Sequence, residues 1–96
     1  MEKYQTDMVE NLLRNYYSLQ SHPSSTFYEY KIDLDVALAK LKKYSSNLYS
    51  TIVNVFINGM PIQEQAAKDG VTRQQLHRRM HDGLHFITMI MNGEVL

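Results

Sequence analysis

A chain of 96 residues, 44% apolar and 21% charged with no net charge, is composed like one folded domain, which argues against disorder throughout and against a generic polyanion binder. There is no cysteine, so disulfides, thiolate zinc sites and cysteine nucleophiles are excluded as well. The neutral total hides an asymmetry: residues 1–35 carry three Lys or Arg against six Asp or Glu, and residues 36–96 carry seven against four. A polyanion would be met by the second half.

In chain order, "MEKYQTDMVENLLRNYYSLQ" places Tyr4, Met8, Val9, Leu12, Leu13, Tyr16 and Leu19 at steps of three and four, which predicts an amphipathic helix. Its first ten residues are acidic and lack an apolar core, so a secretory signal is not expected. No apolar run approaches the roughly 20 residues that span a bilayer, so no membrane partner and a cytoplasmic location are expected. "SHPSST", residues 21–26, is the clear linker, dividing residues 1–26 from a helical unit over 27–96 that packs with it.

"FYEYKI" reads either as a connection or as a frayed helix start. Asp33 is a good N-cap for a helix whose face is Leu34, Ala37, Leu38 and Leu41. Leu48, Ile52, Val53 and Phe56 mark another helix, stopped by Asn58 and Gly59, and "SSN" at 45–47 either separates the two or lies inside one bent helix.

"MPIQEQAAKDG" opens with a proline and closes with a glycine, predicting a helix of about two turns. Thr72 followed by Gln75 has capping-box spacing, so a new helix begins at Thr72 or Arg73, after a break of only three or four residues. Two short helices joined by a tight glycine turn predict a helix-turn-helix, with Ala66 small at the close approach and Val71 and Leu76 as apolar plugs. The fold class is thus all-α, with four to five helices.

At 100° per residue, Met80, Leu84, Ile87, Ile90 and Met91 share a stripe with Leu76, whereas Gln74, His77, Arg78, His81 and His85 share the opposite face. Arg79 lies beside the stripe, where its methylenes can cover the core edge. Gly83 fits either a close packing contact or an early helix end.

Residues 34–87, above all "GMPIQEQAAKDGVTRQQLHRRMHDGL", resemble region 4 of sigma-70-type factors. Small phage regulators of late transcription, of the ArpU and RinA type, resemble region 4 in the same way. The resemblance implies a sequence-specific double-stranded DNA-binding transcription regulator in a bacterial cell or phage-infected host. It implies base contacts by Arg73, Gln74, His77 and Arg78, with phosphate contacts by Lys68, Thr72, Arg79 and His81. Arginine suits this role because it donates twice to guanine, glutamine because it pairs with adenine, and helix-start amides because they hold phosphate. Departures are Tyr44, where the family often has proline, and Arg79 in place of an apolar residue; nothing resembles the segment that melts promoter DNA, so a complete sigma factor is excluded.

Rival readings start from the same residues. His77, His81 and His85, at i, i+4 and i+8, have metal-ligand spacing, but Arg78 stands where a zinc helix carries glutamate and two arginines repel a cation. No metal or other cofactor is expected. A solvated helix face without function is the plainest alternative. If the imidazoles approach phosphates, binding strengthens as pH falls from about 7.5 to 6. The seven tyrosines fit core or dimer contacts better than base stacking, and the six methionines fit gap filling, with Met89 and Met91 placed to seal a dimer. With neither a serine–histidine–acid arrangement nor a glycine-rich phosphate loop, an enzyme is not expected. Other partners compatible with a region-4-like domain are RNA polymerase or a sigma factor, bound as an adaptor without DNA, a phage packaging terminase, and a second copy bound through the N-terminal helix.

Overall fold

In the structure, a computed structural model, residues 3–21 and 25–94 are described. Their regular structure is all helical: α1 (Thr6–Arg14), α2 (Tyr16–Ser21), α3 (Ser25–Tyr44), α4 (Ser46–Ile52), α5 (Ile62–Asp69) and α6 (Arg73–Met91). The predicted linker centres on residues 22–24, outside the described ones.

Six α-helices replace the expected four to five, and local backbone chemistry explains the difference. The helix predicted over the first twenty residues breaks at Asn15, whose side-chain amide donates to the Asn11 carbonyl at 2.8 Å while its own carbonyl accepts from Ser18 and Leu19. Asparagine competes with the helix for its own backbone hydrogen bonds, and the chain turns there. The amphipathic stripe survives the break: Tyr4, Val9, Leu12, Leu13 and Leu19 are all buried.

The expected cap at Asp33 is not one. α3 begins at Ser25, so "FYEYKI" is helix, and Asp33 sits inside it, accepting a 2.6 Å hydrogen bond from the Tyr4 hydroxyl. The core-facing period of Leu34, Ala37, Leu38 and Leu41 continues backwards through Tyr30 and Phe27, and this face outweighs the aromatic strand preference. Asp35 accepts from Lys31 at 2.6 Å and from the Tyr16 hydroxyl at 2.5 Å, tying α2 to α3.

Ser45 separates α3 from α4, its hydroxyl accepting from the Leu48 amide at 3.2 Å. α4 continues into a π-helical turn, Val53–Ile57, and the chain leaves it at Asn58 and Gly59, the glycine at φ 71°. Pro61 caps α5 from outside, one position earlier than a first-turn proline.

One hydrophobic cluster joins α1 through α4, the π-helical turn and α6. Side chains from α1, α2 and α3, with Ile52 and Phe56, meet Leu84, Phe86, Ile87 and Met91 of α6. α6 is therefore both the floor of the core and, at its other end, an exposed helix. Its C-terminal end is fastened to the start of the described chain by a reciprocal amide clasp. The Tyr4 amide donates to Asn92 Oδ1 at 2.7 Å, and Asn92 Nδ2 donates to the Tyr4 carbonyl at 2.9 Å. No described helix is long and apolar enough to cross a membrane.

Candidate nucleic-acid interface

α5 and α6 are joined by Gly70, Val71 and Thr72, and each joint has a local cause. Gly70 adopts φ 67°, where a side chain is disfavoured, and the amides of Gly70 and Val71 donate back to the carbonyls of Ala67 and Ala66, closing α5 in a Schellman arrangement. Thr72 then opens α6: its hydroxyl accepts from the Gln75 amide at 3.0 Å, and Gln75 Oε1 accepts from the Thr72 amide at 2.9 Å. This is the capping box that the spacing predicted, and it fixes Arg73 as the first residue of α6. The amides of Arg73 and Gln74 have no acceptor among the described residues. They point outward with the positive end of the helix dipole.

Leu76 is fully buried and Ala66 nearly so, with Val71 half-buried between them, which holds the two helices together. A polar brace accompanies the apolar contact. Gln65, 1% exposed, donates through Nε2 to Asp69 at 2.9 Å, and the Arg79 guanidinium lies 3.6 Å from the same carboxylate. Arg79 thus leans from α6 toward the end of α5. The sequence placed it beside the stripe, but Asp69 as its partner left no signal, because the two are ten positions apart on different helices.

The eight residues singled out above fall into two groups. Lys68, Thr72, Arg73, Gln74, His77, Arg78 and His81 are exposed, and all except Lys68 belong to α6 or its cap. Arg79 is only 30% exposed and is engaged with Asp69. His81 and His85 continue the outward face one and two turns further, their rings parallel with centroids 6.5 Å apart, and His81 Nδ1 lies 3.6 Å from Asp82. Among the described residues no three His, Asp or Glu side chains gather as metal ligands.

Beyond this surface, α6 enters the core. Gly83 packs directly on Ile52: a β-carbon at Gly83 would come within 2.6 Å of Ile52 Cγ1 and 2.7 Å of Cδ1. Of the two roles the sequence allowed for Gly83, the structure has the packing one, and α6 runs on to Met91. Phe86 is buried, although the predicted stripe omitted it, because α3 supplies Tyr44 to stack on it with centroids 4.7 Å apart.

No known family, no curated protein and no solved structure matches this chain.

Proposed function

We propose that this protein is a sequence-specific double-stranded DNA-binding regulator of transcription, acting in the cytoplasm, in which α5 and α6 form a helix-turn-helix of the sigma region 4 kind. One observation carries the proposal: the capping box fixes the start of α6 so that Arg73, Gln74, His77 and Arg78 stand exposed on its first turn and a half. An N-terminal helix end bearing arginine and glutamine fits the major groove, where base edges present the acceptors and donors that these side chains match.

In this mechanism Lys68, the Thr72 hydroxyl, His81 and the free amides of Arg73 and Gln74 hold phosphates and set the register, while the four side chains read bases. Arg79 braces α6 against Asp69 and reaches a phosphate only by leaving that carboxylate. A neutral chain gains little from non-specific attraction, so the base contacts must supply the discrimination.

The test is selection of bound duplexes from a random pool, followed by fluorescence-anisotropy titrations at several salt concentrations with wild-type protein and Arg78→Ala. A selected motif is expected, with affinity falling as salt rises and dropping by about 5- to 150-fold in the variant, the range of one bidentate base contact. Failure to enrich any motif, with RNA polymerase captured equally by both proteins, would make the domain a protein-docking adaptor.

A further inference from the structure

We propose that the outward face of α3 pairs two copies of this chain, antiparallel, about a two-fold axis close to Val36. Along α3, Tyr28, Ile32 and Val36 follow one another at successive turns and are 62%, 46% and 48% exposed. The other large apolar side chains this exposed among the described residues have intramolecular partners: the Tyr17 hydroxyl donates to Asn58 Oδ1 at 3.2 Å, and Tyr44 stacks on Phe86. Ile32 and Val36 have no such explanation. With exposed Ala39 and Lys43 they follow a 4-3-4 spacing, the seam by which two helices pack nearly parallel to each other's axes.

Charge selects the occupant. Glu29 lies at the N-terminal end of this stripe and Lys40 and Lys43 at the other, all exposed and without an ion pair among the described residues. An antiparallel second copy brings Val36 against Val36, Ile32 against Ala39 and the Lys40 methylenes, and Glu29 with Tyr28 against Lys43, twice by symmetry. A two-fold interface requires such self-complementarity. A parallel pair would set Lys43 against Lys43 and Glu29 against Glu29. The face of a 20-residue helix about 30 Å long is smaller than the roughly 800 Å² per partner of a permanent complex, so the dimer is concentration-dependent. The pairing uses none of the α6 residues assigned to DNA and stands without them.

Sedimentation equilibrium of the full chain, without DNA, from about 5 to about 500 µM tests the pairing. The apparent mass is expected to rise toward twice that of one chain, and Ile32→Asp is expected to remain monomeric with an unchanged helical circular-dichroism spectrum. Glu29→Lys and Lys43→Glu should each weaken association by about fivefold or more, and the two together should restore it, because the charges exchange places. A monomer at every concentration overturns the pairing and leaves the stripe to a partner of different sequence. Association that survives Ile32→Asp, or a double variant no better than the single ones, overturns it equally.

Discussion

At Gly83 a single missing β-carbon decides how closely α6 approaches α4. Ile52 is fully buried, so it has little room to yield to a side chain arriving 2.6 Å away. Overpacking of this kind costs about 1–3 kcal/mol, and the gain in helix propensity from glycine to alanine returns at most about 1 kcal/mol. Gly83→Ala is therefore expected to lower the unfolding free energy in urea titrations. Ile52→Ala should cost less in that background than alone, which a double-mutant cycle measures. Equal cost in both backgrounds would show that the two residues do not press on each other.

Tyr4 is a second position where one atom matters. Its phenol is held well above its ordinary pKa of about 10, first by burial and then by its hydrogen bond to Asp33. A raised folded-state value means that the stabilisation is complete below pH 10 and is lost as pH climbs from there toward the folded value. Wild-type stability should therefore fall above pH 10, and Tyr4→Phe should flatten that fall in denaturation curves taken from pH 8 to about 11. Near pH 7 the same variant loses a hydrogen bond to a charged acceptor, worth about 1.5–3 kcal/mol.

Among the elements, α5 and α6 were the most legible, because punctuation residues mark them: Pro61 before α5, Gly70 after it, and the Thr72–Gln75 pair at the start of α6. Each fixes a backbone conformation through its own chemistry, without help from distant contacts. The start of α3 was not legible. Asp33 looked like a cap and "FYEYKI" like either a connection or a frayed helix start, and only the core that Phe27 and Tyr30 join shows that the helical period extends back to Ser25. The break at Asn15 and the π-helical turn at Val53–Ile57 were not legible either, because neither interrupts the apolar period that runs through it. The outward placement of Arg73, Gln74, His77, Arg78 and His81 was legible from the helical period; the Asp69 brace under Arg79 was not.

α6 itself carries an element-scale expectation. Thr72→Ala removes the acceptor for the Gln75 amide, and such a cap is worth about 1 kcal/mol. The first turn of α6 should then show faster amide hydrogen exchange at Gln75 and Leu76, with little change near Ile87 in the core. Uniformly faster exchange along the whole helix would mean that the cap supports the fold rather than the local turn.

At the scale of the whole molecule, the acidic first third and basic remainder are folded against one another. α1 lies on α6 and on the π-helical turn, and the Tyr4–Asn92 clasp closes the chain on itself. The apolar face of α1 is thereby largely buried within the chain, and among the described residues the start of α6 and the stripe on α3 face outward. We propose a polyanion as the partner of the first and a copy of the same chain as the partner of the second.

An amide-resolved NMR titration of the isotope-labelled protein with its selected duplex separates these surfaces most directly. Shifts and broadening concentrated at Lys68 and at Thr72 to Arg78, produced by the selected duplex but not by a duplex of scrambled sequence at the same concentration, are the predicted result. Perturbation confined to Lys40, Lys42 and Lys43, or spread evenly over exposed cations irrespective of sequence, would contradict recognition by the first turns of α6.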